Sequence, residues 1–426
     1  VWLPVLAAAA AVVLGIAYFF SINPDGSVTT PGGGTNDGGT KSATPPSVAK
    51  PKLPATLAGP KEKLEDQLKK LDRVSPADNQ LQLTQGPSLA LPGGMSEAAA
   101  ALSSEQDPRA RMAKLLEWAH LPKKNALDLA SSEEANPEAI LGAARSLSGE
   151  EQRRVLLTAV GKLQEDPSAR LQLAKNYMET PADAPAAEVA ENQTQAVAQL
   201  SSIKDIDPEN ALPYYFEAKT LLDQGDVASA LTALQNAGSK EQASAYSLES
   251  ALAESAALEA SGMDPEAARL VAALTAGVDE NNFLCQLAGD LLSYGQGFLS
   301  DNDFPAAEAI FKAVEQLGRQ VETGASFSQE QLAGLDIQRY ALDGLGQLYA
   351  TVESAEGVAT VTDATEALRI DVDELSQFFI TLDEMFLKPM TTEFWNIVSG
   401  IVLGSGDLAL VGNEEIESAL APATTP

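Results

Sequence analysis

The sequence predicts an all-α protein: one N-terminal helix of membrane length, then a body of short helices paired as hairpins. Three observations carry this reading. Residues 1–22 contain no charge, and the first charged side chain is Asp25. From Ser96 onward apolar residues recur at three- and four-residue spacing, while strand-like alternation is nearly absent. Aromatics make up only 5% of a chain that is 45% apolar and rich in alanine. Alanine favours helices and is a poor strand former.

The first element is VWLPVLAAAAAVVLGIAYFFSI, residues 1–22. As a helix it is roughly 33 Å long, which matches the hydrocarbon thickness of a bilayer. Trp2 stands at one end and Tyr18, Phe19 and Phe20 at the other, as in an aromatic belt. Pro4 falls in the first turn, where its missing N–H costs little. A cleaved signal peptide has an apolar core of about 7–15 residues ending in small residues. This longer, aromatic-ended run is read as a retained transmembrane anchor. No Lys or Arg follows it before Lys41, which assigns the body to the extracytoplasmic side of an inner or cytoplasmic membrane, a periplasm or its equivalent.

Residues 23–95 are a linker rich in Gly, Pro, Thr and Ser, a composition that buries too little surface to offset its ordering entropy. Within it, KEKLEDQLKKLDRV (61–74) predicts a short helix with Leu64, Leu68 and Leu71 on one stripe.

Residues 96–357 form the helical body. SEQDPRARMAKLLEWAHL, NPEAILGAARSL and SGEEQRRVLLTAVGKLQ each open on cap and turn residues and continue with helical spacing. The stretch 207–237 places Tyr214, Ala218, Leu221, the turn Gly225-Asp226, Ala230, Leu234 and Ala237 in sequence. The stretch 288–314 repeats the schedule with Leu291, Gly295, Phe298, Asn302-Asp303, Ala307, Phe311 and Val314. First helices alone recur around Ala174 and Tyr177, and around Gly346 and Tyr349. This pattern resembles the tetratricopeptide repeat, in the membrane-anchored bacterial form. The resemblance implies a solenoid in which small residues let two helices approach and large ones fill the remaining space. Because the two best units start 77 residues apart, a divergent hairpin at 243–277 is expected to stand between them.

Residues 358–412 change texture and are richer in Phe, Ile, Met and Trp. They predict a helical cap for the last hairpin, followed by a frayed tail over 413–426. Phe378, Phe379 and Phe386 lie on one apolar stripe, and Trp395 opens a ten-residue apolar run too short to span a bilayer. With Tyr215, these four are the candidate partner-facing residues; covering the core is the competing role for each.

Catalytic chemistry finds no material. The chain has one histidine, His120, at the expected end of a helix, and one cysteine, Cys285, in an apolar helical stretch. These cannot build a zinc, haem or iron–sulfur site within the chain. GGG at 32–34 has no flanking strand or helix, and SDNDF at 300–304 lacks the Gly and terminal Glu of a calcium loop. NQT at 192–194 matches a glycan acceptor. The charge balance of 28 basic against 60 acidic residues, net −32, opposes nucleic-acid binding. The sequence therefore predicts no enzyme, no cofactor, no metal and no small-molecule substrate. It predicts a scaffold or accessory subunit that binds protein partners in a larger membrane complex. The alternative is a periplasmic assembly factor or chaperone of a translocon or maturation machinery.

Overall fold

The computed structural model describes residues 94–105, 108–179, 184–387 and 392–410, without the side chains at 108, 109 and 380–387. The predicted anchor 1–22, the helix 61–74 and the tail 413–426 lie outside the described residues, as does the linker up to 93. Among the described residues no helix is long and apolar enough to cross a membrane.

The described chain is helical throughout, with a single isolated bridge between Asn210 and Gln242 in place of any strand. In chain order the helices are α1 (Met95–Ser103), α2 (Pro108–Ala119), α3 (Lys123–Ser131), α4 (Pro137–Ala144), α5 (Gly149–Lys162) and α6 (Pro167–Met178). They continue with α7 (Ala186–Ile206), α8 (Leu212–Asp223), α9 (Val227–Gly238), α10 (Ser247–Ala260) and α11 (Pro265–Thr275). The last are α12 (Val278–Ser300), α13 (Phe304–Gly324), α14 (Ser328–Thr351), α15 (Ala355–Leu387) and α16 (Thr392–Ser405), then a 3₁₀ turn at Asp407–Leu410.

Local sequence sets these boundaries. Asp166, Asp226, Asp264 and Asp303 each cap the helix that follows by accepting a backbone N–H in its first turn. Four hairpin turns close in the same way. A residue in the left-handed region (Gly225, Gly262, Asn302 or Glu353) ends the first helix. The next amide then donates to the carbonyl five residues back: Asp226 to Leu221, Met263 to Leu258, Asp303 to Phe298 and Ser354 to Tyr349, at 2.9–3.1 Å. This is the Schellman closure, which satisfies an orphan carbonyl and reverses the chain. SDNDF is therefore the α12–α13 turn.

The hairpins α6–α7, α8–α9, α12–α13 and α14–α15 run side by side, with α7 against α8 and α12 and α13 both against α14. The two best sequence units are direct neighbours, since α8 packs on α12 and α9 on α13. No divergent hairpin stands between them, which corrects the expectation from spacing. The intervening α10–α11 hairpin leaves the row. Its α10 packs on α3, α4 and α16, and its α11 on α1, α2 and α16. The physical cause is close helix approach at Gly142, where an added Cβ would meet the Ala253 carbonyl oxygen at 2.0 Å. No residue with a side chain fits at that crossing.

The expected C-terminal cap also divides. Helix α15 covers α14, while α16 returns to α10 and α11 and contributes Phe394, Trp395 and Val398 to the first core. Trp395 is fully buried and meets Phe394 edge-on, with centroids 5.5 Å apart.

Candidate functional site

The repeat-packing residues show how the small and large positions fit. Ala218, Ala230, Leu234, Ala307 and Phe311 are buried, and Tyr214, Leu221 and Phe298 are partly buried against the same cores. A Cβ at Gly295 would meet the Phe311 ring at 2.5 Å. A Cβ at Gly344 of α14 would meet the same ring at 2.7 Å. Phe311 thus closes on two glycines from different helices. Gly346, the small residue of the recurring first-helix pattern, instead faces Val361 of α15 at ordinary contact distance.

Three of the candidate partner-facing residues do not face solvent. Tyr215 is completely buried and donates its hydroxyl to Gln320 Oε1 at 2.8 Å. Phe379 and Trp395 are buried in two different cores. Phe378 is partly buried beside Phe379, with ring centroids 6.1 Å apart. Phe386 belongs to α15, but its side chain lies outside those described. Tyr215 and its neighbour Tyr214 differ by one helical step. Tyr214 lies partly exposed beneath Lys204 Nζ at 4.2 Å, while Tyr215 turns into the core.

A different set of side chains links α6, α8 and α12 in a band, most of them part-exposed, and α14 carries a further aromatic and charged group. Lys175 Nζ of α6 stands 4.3 Å from the centre of the Phe283 ring of α12. Phe283 in turn stacks on Phe216 of α8 at 4.7 Å. Lys219 of α8 bonds Asp223 at 2.8 Å and reaches Asp290 of α12 at 3.6 Å. The Tyr294 hydroxyl donates to the other oxygen of Asp223 at 2.5 Å. On α14, Arg339 pairs with Asp336 at 2.9 Å and covers the Tyr340 ring at 4.5 Å. Burial pushes the Asp290 carboxyl up, and Lys219 opposes it. Burial works against the charge on Lys219, yet Asp223 and Asp290 together hold its ammonium above the usual lysine range.

Beside this band, three carboxylates converge on one guanidinium. Arg145 Nε of α4 contacts Glu254 of α10 at 3.2 Å, Nη2 contacts Asp279 of α12 at 3.0 Å, and Nη1 contacts Glu280 of α12 at 2.7 Å. Glu254 also accepts the Thr275 hydroxyl at 2.7 Å. Burial alone would raise the Glu280 carboxyl, but Arg145 and then Lys175 outweigh it and hold it below the usual range. Burial lowers the Lys175 ammonium, and Glu280 and Asp279 only partly restore it.

His120 is exposed just past α2, its amide closing the last turn onto the Leu116 carbonyl. Burial pushes the Cys285 thiol up to about 12, which leaves it a thiol and a weak nucleophile. Among the described residues no group of three or more His, Cys, Asp or Glu could hold a metal ion. Asn192 of the glycan motif is buried in α7 and accepts from Arg153 at 3.3 Å. Comparison with protein-family models, with curated proteins and with solved structures finds no match to this chain.

Proposed function

We propose that the chain is a membrane-anchored scaffold subunit of tetratricopeptide-like design, whose extracytoplasmic body docks protein partners in a larger membrane complex. The observation that carries this reading is the band over α6, α8, α12 and α14. It joins α6, α8 and α12 through aromatic and charged side chains, and α14 adds the Arg339–Tyr340 pair. Such surfaces supply many graded polar and stacking contacts to a partner, with aromatic and arginine anchors among them. The span at 1–22 would fix the body to the membrane and raise its local concentration near membrane-bound partners.

The test is gentle detergent extraction of the full chain, followed by mass spectrometry of what travels with it. Wild type should carry one set of partners in fixed stoichiometry. The double variant Arg339→Ala, Tyr340→Ala should lose them while its melting is unchanged. A chain that migrates alone, or a partner indifferent to every substitution in the band, refutes the docking role. Many substoichiometric, unfolded clients would replace it with the assembly-factor reading.

A further inference from the structure

The α10–α11 hairpin has three features that the docking reading does not use. It is bounded by two residues in the left-handed region, Tyr246 at its start (φ 58°) and Gly277 at its end (φ 80°). For a bulky residue such as tyrosine this conformation is strained, and strain of this kind collects at switch points. The hairpin also stands outside the row, although in sequence it falls between two units that touch each other without it. Finally, its one buried carboxylate, Glu254, is bound to α4 and faces α12 through the Arg145 cluster.

The charge of that cluster is unbalanced. Facing Glu254 are Arg145 from α4, the neutral Thr275 hydroxyl from α11, and Asp279 and Glu280 from α12, with Lys175 of α6 behind them. Two positive groups thus meet three carboxylates, an excess of one negative charge. Helices α3 and α16 add nothing to offset it. Lys123 and Lys124 of α3 are engaged in exposed pairs with Glu151 and Asp128, and Glu393 of α16 is exposed. Glu330 of α14 lies beyond Glu280, holds Ser247 at the start of α10, and adds further negative charge.

We propose that the α10–α11 hairpin is a proton-controlled latch: uptake of one proton by the Arg145–Glu254–Glu280 cluster fastens it to α4 and α12, and loss of that proton lets it open locally. One proton brings the cluster to neutrality. Burial, with Asp279 and Glu280 adding to it, pushes the Glu254 carboxyl from its ordinary 4.5 up to about 7 against the pull of Arg145. Glu254 is therefore the group that takes the proton. A carboxyl raised in the closed state contributes stability that is complete below its ordinary value and is lost as pH rises through the closed-state value. Between pH 6 and pH 8 the opening constant of the hairpin should rise about tenfold.

The test is hydrogen exchange by mass spectrometry on the full chain at pH 6 and pH 8, corrected for intrinsic rates. At amides that exchange by local opening, wild type should lose about tenfold in protection over residues 247–275, with no such change over 167–238. Glu254→Gln keeps the side chain's size and removes its charge, and should abolish the pH dependence; Glu330→Gln should retain it. An equal loss in Glu254→Gln, or a wild-type hairpin indifferent to pH, overturns the proposal. Should Glu254→Gln fail to fold, the wild-type profile still decides: a loss confined to 247–275 supports the latch, and a uniform loss overturns it.

Discussion

Replacing Gly295 by alanine would place a methyl group 2.5 Å from Cε1 and 2.9 Å from Cδ1 of Phe311. The ring has little room to retreat, because Gly344 of α14 also closes on it, with its Cβ direction 2.7 Å from the same Cε1, and Phe311 is fully buried. Two effects oppose each other. Alanine in a helix interior is favoured over glycine by about 1 kcal/mol. Overpacking a closed core costs about 1–3 kcal/mol. The steric effect should win, leaving Gly295→Ala destabilised by about 1 kcal/mol. A leucine there should cost more. The diagnostic is the double-mutant cycle with Phe311→Leu. Without the ring the methyl has room, and only the helix preference remains, so Gly295→Ala should become neutral or stabilising. The coupling between the two positions should be roughly 1–3 kcal/mol. Urea unfolding followed by circular dichroism measures each corner. Equal destabilisation in both backgrounds, or a Gly295→Ala variant more stable than wild type, refutes the interlock.

Further substitutions test other joints. Gly142→Ala should destabilise more than Gly295→Ala, because its methyl would lie 2.0 Å from a backbone oxygen of α10, which only helix separation relieves; an unchanged melting profile would contradict the α4–α10 crossing. Tyr215→Phe leaves the buried Gln320 Oε1 without its donor and should cost about 1–3 kcal/mol by denaturant midpoint. Asp303→Ala removes the α13 cap and should cost about 1 kcal/mol, with Asp303→Asn close to neutral. Global stability should fall from pH 5 to pH 8. Burial raises the Glu254 and Glu330 carboxyls to about 7 and Asp407 to about 6. Each raised carboxyl stabilises the fold fully below its ordinary value, and that contribution disappears as pH passes its folded value. A urea midpoint higher at pH 8 than at pH 5 would contradict this.

The helices were legible because their signals are local. Asp and Pro at the starts, Gly or Asn at the turns, and three- and four-residue apolar spacing need no knowledge of distant contacts. The interlock of Gly295 with Phe311 was legible for the same reason, as both sit on one hairpin. Gly344 was missed as its partner because that contact comes from the next hairpin, beyond the reach of periodicity. The departure of α10–α11 from the row was hidden too. It depends on Gly142 meeting Ala253, more than a hundred positions later, and a lone glycine in an alanine-rich helix carries no such signal. Aromatic residues misled for a physical reason: Tyr215 and Trp395 are as suited to a core as to a surface, and only packing decides. Gln320, which accepts from Tyr215 and donates to the carbonyls of Ala237 and Lys240, reads in sequence as an ordinary surface glutamine. The Arg145 cluster draws its charges from positions 145, 254, 279 and 280, scattered among 60 acidic residues that are individually uninformative.

The docking role is tested most directly by the stoichiometry of partners bound to the full chain in mild detergent, measured by native mass spectrometry with and without the Arg339→Ala, Tyr340→Ala double variant. The account predicts one defined complex with wild type and its loss in the variant, whose melting stays unchanged. A wild-type chain observed only by itself, or a complex that survives substitution of every residue in the band, would contradict it.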